Sequence, residues 1–163
     1  MTNALDPTDD LTFRRVLGHF ATGLAVVTGD HDGTRAGFTC QSFTSVSLRP
    51  PLVGFFARKE SQSWAMIRAS GRFCVNVLAR DQEMVARTFA TPGIDKFHDL
   101  PTVGAPSGSP ILPGVIAWID CSIEIVADAG DHDSVLGSVT SLAHVADSMP
   151  LLYFRGGYGT FAP

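Results

Sequence analysis

From residue 37 to residue 51 the chain reads Gly-Phe-Thr-Cys-Gln-Ser-Phe-Thr-Ser-Val-Ser-Leu-Arg-Pro-Pro, placing hydroxyls, an amide and a thiol in a stretch that otherwise favours a strand. Strands prefer β-branched and aromatic residues, and a buried hydroxyl or amide without a partner costs about 1 to 3 kcal/mol. Thr39, Cys40, Gln41, Ser42 and Ser45 must therefore face water, one another or a ligand. A second polar group, Arg58, Lys59, Ser61 and Ser63, stands just before Trp64. Cations and hydroxyls at a helix start combine positive charge with free backbone N–H groups, which is the chemistry of anion binding; the plainer reading is a solvated turn and a helix cap. The tetrad Gly-Asp-His-Asp occurs twice, at residues 29–32 and 130–133. Metal ligation is a rival role for either histidine, but neither has an HExxH motif or a second ligand at helical spacing.

The elements that must carry these residues are short. Thr8, Asp9 and Asp10 precede Phe13, Val16, Leu17 and Phe20, which predicts a capped amphipathic helix at the N-terminus. Strands are expected at residues 24–28 and 35–42, joined through the turn pair Asp32-Gly33. Pro50-Pro51 breaks the chain before residues 52–57, a strand apolar enough to be buried on both faces. Ser61 or Ser63 caps a short helix that Gly71 ends, and a strand follows at residues 72–78. Asp81 caps a further helix at residues 82–90 with Met84, Val85 and Phe89 towards the core, and Thr91-Pro92-Gly93 stops it. Residues 98–113 read as a long irregular loop. Residues 117–125 alternate apolar and polar, the clearest strand in the chain, and residues 135–145 and 151–154 supply two more before a glycine-rich, flexible end. Many short strands with three helical segments predict a small closed barrel capped by helices, in one domain spanning residues 1–163.

Composition narrows the function. A net charge of −4 with scattered Lys and Arg offers no footprint for nucleic acid or an anionic membrane. No stretch reaches the ~18 apolar residues of a membrane span, and the acidic N-terminus has no signal core, so a cytoplasmic protein is expected. Cys40, Cys74 and Cys121 show neither metal-ligand spacing nor a disulfide framework; Cys74 and Cys121 read as small core hydrophobes. No GxGxxG links a strand to a helix, which excludes a Rossmann mode of dinucleotide binding.

Residues 37–51, 58–64 and 70–78, with Asp95-Lys96-Phe97 and Gly130-Asp131-His132, stand in one order along nearly the whole chain. In that order they resemble the flavin reductase family, small NAD(P)H:flavin oxidoreductases, and within it the reductase components of actinobacterial two-component monooxygenases. The resemblance implies a mainly β fold with capping helices, the FMN-binding split β-barrel. It implies that Thr39, Cys40, Gln41, Ser42 and Ser45 line the flavin ring edge and ribityl chain, and that Arg58, Lys59, Ser61 and Ser63 meet the phosphate, flanked by Ala57 and Trp64. Phe89, Ala90, Lys96 and Phe97 would lie over the flavin, partly from a neighbouring subunit. His132, not His31, would sit by the flavin and nicotinamide as the catalytic residue. Arg155, Gly156, Gly157 and Tyr158 match the family's Arg-Gly-x-Tyr, a contact for the pyridine nucleotide. The chain departs from the family at Asp133-Ser134, where Thr and large apolar residues are usual, and at Gly157, which replaces an acidic or polar residue.

The activity implied is hydride transfer from NADH or NADPH to FMN or FAD in a homodimer, with reduced flavin diffusing to a flavin-dependent monooxygenase. Such a protein is mainly a positioning device. The alternative is a non-catalytic carrier with permanently bound flavin on the same barrel. A structural or haem-binding relative is opposed by the intact polar segment from Thr39 to Ser45.

Overall fold

The structure, a computed structural model, describes residues 4–145 and 147–161. Helix α1 (Asp10–Leu17) is followed by β1 (Thr22–Gly23), β2 (Ala25–His31), β3 (Thr34–Cys40), β4 (Thr44–Leu48) and β5 (Pro51–Arg58). Next come α2 (Gln62–Ser70), β6 (Arg72–Val77), α3 (Glu83–Ala90), β7 (Val103–Gly104) and β8 (Pro110–Ile111). The long strands β9 (Ala117–Ala129) and β10 (His132–His144) precede β11 (Leu151–Phe154) and β12 (Gly157–Thr160).

Seven strands form one antiparallel ladder in the order β3-β2-β6-β9-β10-β5-β4, while β1-β11-β12 and β7-β8 form small sheets of their own. The mainly β architecture with capping helices is as the sequence implies, but the expected closure is not. β3 and β4 are consecutive in the chain yet stand at opposite ends of the ladder, so the barrel is split. Ser42 bridges that seam: its Oγ accepts from the backbone N–H of Phe56 at 2.9 Å and lies 3.3 Å from the Phe56 carbonyl.

β2 is the strand buried on both faces. Ala25 and Val27 enter a core with Phe55, Trp64, Ile67, Phe73 and Val135, while Leu24 and Val26 enter a second core with Leu78, Phe89, Phe97, Leu112 and Leu151. β5, expected to be buried on both faces, starts at Pro51 and has one wet face, because Phe56 is 49% exposed. At Gly137 a Cβ would lie 2.3 Å from Phe73 Cζ, so only glycine lets the bulged β10 close over that ring.

Several local expectations change on contact with tertiary structure. α2 begins at Ser61, whose Oγ accepts from Trp64 N–H at 3.2 Å, and ends at Gly71 with φ of 70°. α3 is capped not by Asp81 but at Gln82, whose amide serves instead as a strut: Oε1 accepts from Ala79 N–H at 2.9 Å and Nε2 donates to Pro113 O at 2.7 Å. Val85 and Phe89 face the second core, but Met84 is exposed. The irregular loop contains the β7–β8 ladder and is tied to β9 by Asp120, which accepts from the Ser107 backbone at 2.8 Å and hydroxyl at 2.6 Å. The carboxyl end is a hairpin, not a flexible tail, with Arg155 (φ 50°) and Gly156 (φ 83°) forming a turn of type I′ character. No helix among the described residues is long and apolar enough to cross a membrane.

Candidate functional site

β10 starts at His132, which pairs across the ladder with Arg58, the last residue of β5. Directly paired residues of neighbouring strands share a face, so an imidazole and a guanidinium stand side by side at one rim of the barrel. Shortly beyond Arg58, Ser61 opens α2, its Oγ taking the Trp64 N–H, with Gln62 and Ser63 forming the start of the helix. Ser63, in that turn, lies 3.4 Å from the Lys96 ammonium. Lys96 also donates to the carbonyls of Gly37 at 2.9 Å and Phe89 at 3.0 Å, which binds the end of α3 to β3. Partial burial holds its pKa below the usual lysine value. Its charge, expected to be free for a ligand, is thus shared with the chain's own carbonyls.

The rim is braced from below. Lys59 forms an ion pair with Asp128, donates to Gly130 O at 2.6 Å, and its backbone N–H reaches Asp131 O at 3.2 Å. The hydrogen bond from Lys59 holds the Asp128 carboxyl below its usual range. His132 Nδ1 lies 2.7 Å from Asp131 Oδ1, and this bond lowers the Asp131 pKa. The hairpin tip bearing His132 is therefore held by Lys59, whose ammonium, expected to meet the phosphate, is engaged here by Asp128 and Gly130.

Cations, hydroxyls and helix N–H groups at one rim suit an anionic, polar ligand, and the sequence profile of one family spans almost the whole chain: that of the flavin reductase like domain matches residues 17–162. The chain belongs to the flavin reductase family. It is 47% identical over 160 residues to the reductase subunit HsaB of a flavin-dependent monooxygenase from Rhodococcus jostii (strain RHA1), covering 98% of this chain and 82% of that one. A flavin reductase of Pseudomonas putida is 48% identical over 161 residues, covering 98% and 93%. Among solved structures, a Streptomyces globisporus NADH:FAD oxidoreductase in complex with NAD and FAD fragments superimposes with a TM-score of 0.93 at 36% identity, covering 99% of this chain and 98% of that one.

Within this flavin reductase the residues expected at the site divide by exposure. Gln41, Ser45, Arg58 and Ala90 are exposed, and Ser61 and Ser63 are half-buried at the start of α2. Thr39 donates its hydroxyl to Ala86 O at 2.6 Å, Ser42 bridges the seam, and Cys40 is buried with its Sγ 3.3 Å from Ser42 Oγ. These three side chains are engaged within the chain and fix its strands. Ala57, Trp64, Phe89 and Phe97 are buried core residues; Trp64 packs edge-on against Phe55 and Phe89 against Phe97. These four residues, expected to lie against the flavin, have their side chains packed into the chain's own cores.

Arg155, Gly156, Gly157 and Tyr158 form the β11–β12 hairpin, and Tyr158 packs on Tyr153 and under the Arg87 guanidinium, 4.7 Å from its ring centre. These contacts attach them to α3 and the second core rather than to His132. Two concavities, about 390 and 350 Å³, lie beside Arg80, the second touching Tyr158, Gly159 and Thr160. Neither includes the polar segment or His132. Among the described residues no group of three His, Cys, Asp or Glu side chains gathers to hold a metal.

Proposed function

We infer that this chain is an NAD(P)H-dependent flavin reductase that reduces FMN or FAD and supplies the reduced flavin, by diffusion, to a partner monooxygenase. The observation that carries the site assignment is the pairing of His132 with Arg58 beside the first turn of α2. The residues present fit a flavin: the α2 N–H groups, Ser63 and Arg58 suit its phosphate, and exposed Gln41 and Ser45 suit its ribityl chain and ring edge. Bound there, the flavin supplies the acceptor for a hydride from reduced nicotinamide. The chain's work is to hold and orient: Lys59 and Asp131 fix His132, Ser42 fixes the polar segment against β5, and His132 presents a polar edge where the two rings meet.

A single domain in a cytoplasmic homodimer completes this reading. α1 buries none of its residues, and Val46, Leu48 and Phe56 are exposed on the end strands β4 and β5 of the ladder, surfaces that a second copy covers while excluding water from the open rim. Arg155 to Tyr158, with Ala90 and Lys96, then lie towards ligand atoms carried by the other subunit, while Phe89 and Phe97 support them from the core.

Flavin that must leave in each cycle cannot be held tightly. With association near 10⁶ per molar per second, a micromolar site releases it at about 1 per second and a nanomolar site at about 10⁻³ per second. The test is the loss of nicotinamide absorbance on protein freed of flavin by gel filtration, with FMN, FAD or neither added. Oxidation that saturates with added flavin is expected, and the assay ranks the two flavins and the two nucleotides. Stoichiometric flavin that survives dialysis, with no nucleotide oxidation, would overturn this in favour of a carrier.

A further inference from the structure

The acid that follows Gly-Asp-His in this chain has a structural place of its own. His132 and Asp133 are neighbours in β10, so their side chains leave opposite faces of the strand. His132 stands at the rim beside Arg58, whereas Asp133 turns inward and is only 8% exposed. There its Oδ2 accepts from Trp64 Nε1 at 2.8 Å and from Arg68 Nη1 at 3.2 Å. Trp64 and Arg68 are one turn apart on α2, so both donors come from one helix face. The Trp64 ring is locked edge-on against Phe55, 5.9 Å between centres, and cannot follow the carboxylate if it moves. A buried carboxylate is tolerated only when paired, and its hydrogen bonds are about twice as strong as neutral ones. α2 is therefore attached to β10 at the residue next to His132, while its own first turn carries Ser61 and Ser63 beside Lys96.

We propose that Asp133 is a positioning residue for flavin: by holding Trp64 and Arg68 it sets the distance between the anion-binding start of α2 and His132. The proposal rests on the site assignment above. Arg68 acts only through the carboxylate, since it reaches the site by no other described bond.

The experiment uses the full chain and FMN, measuring Kd by flavin fluorescence and KM and kcat by NADH oxidation. The variants are Asp133→Ala, Asp133→Asn, Arg68→Ala and the double variant Asp133→Asn/Arg68→Ala. Asp133→Ala is expected to raise Kd and KM for FMN about tenfold with kcat within about twofold, and Arg68→Ala to raise them about threefold. The double variant should be no weaker than Asp133→Asn alone, because Arg68 and the charge act as one unit. If Asp133→Ala does not fold by circular dichroism, Arg68→Ala, which alters an exposed side chain, and the near-isosteric Asp133→Asn carry the test. Folded variants that bind FMN as the wild type does would overturn the proposal. A wild type that binds FMN but oxidises neither nucleotide would overturn the reductase reading alone, provided Asp133→Ala still weakens binding.

Discussion

At the scale of the residue, the site is a set of polar groups held by their neighbours. His132 is held by Asp131 and by a tip that Lys59 clamps, and in the proposed reaction its part is to orient. His132→Asn is expected to lower kcat roughly tenfold, about 1.4 kcal/mol of barrier, with the fold intact by circular dichroism; complete loss in a folded variant would make it indispensable. The cysteines are inert for a stated reason. Burial raises the Cys40 and Cys74 thiols and pushes Cys121 up to about 12 from an ordinary value of 9.0. Iodoacetamide at mildly alkaline pH should label none of them in the native chain and all three in urea, read by mass spectrometry. Because the folded thiols keep their protons where the unfolded ones lose theirs, stability is full below pH 9.0 and declines as pH climbs towards 12. Residue types made much of this legible: Cys74 and Cys121 are core hydrophobes as read, both fully buried. Lys59 and Lys96 were not legible, because nothing in the sequence reveals that Asp128, Gly130 and the carbonyl of Phe89 converge on those ammonium groups.

At the scale of the element, local signals succeeded where the cause was local. Asp32-Gly33 makes its turn, and Ser61 and Gly71 bound α2, because each is settled by a few adjacent backbone angles. Signals failed where packing decides: Gln82, not Asp81, stands at the N-cap position of α3 with no side-chain cap, its amide held instead by Ala79 and by Pro113, a partner distant in the chain that propensity does not see. The repeated tetrad shows the same limit. At residues 29–32 it leads into the turn, ending on Asp32 with φ of 52°, whereas at residues 130–133 its own Gly130, with φ of 74°, begins the turn. His31 thus ends a strand and His132 begins one, and only the phase relative to the turn separates them. Gly137 was not singled out by sequence, since its cause is the ring of Phe73, remote in the chain and brought against β10 only by folding. Gly137→Ala should cost about 1 to 3 kcal/mol in urea denaturation, through overpacking against that ring, and a wild-type midpoint would show that β10 can shift to make room.

At the scale of the whole molecule, the chain presents large exposed apolar side chains on α1 and on the end of the ladder. α1 displays Leu11, Phe13 and Leu17, and the ladder end displays Leu48 at 85% exposure. Light scattering should return twice the mass of the chain, and Leu48→Asp with Val46→Asp should return the single mass together with weaker FMN binding; a wild-type monomer with full activity would overturn the homodimer. The barrel was legible as a strand count, but its split was not, because sequence does not state which strands stay unpaired. That split has a mechanical meaning. A ring closed throughout by backbone hydrogen bonds deforms only as a unit, whereas this ladder is interrupted where the chain crosses from β3 to β4 through Gln41, Ser42 and Phe43, and a single hydroxyl spans the gap. The fold thus has one line, at the crossing from β3 to β4, along which the chain can bend without breaking a rung of the ladder.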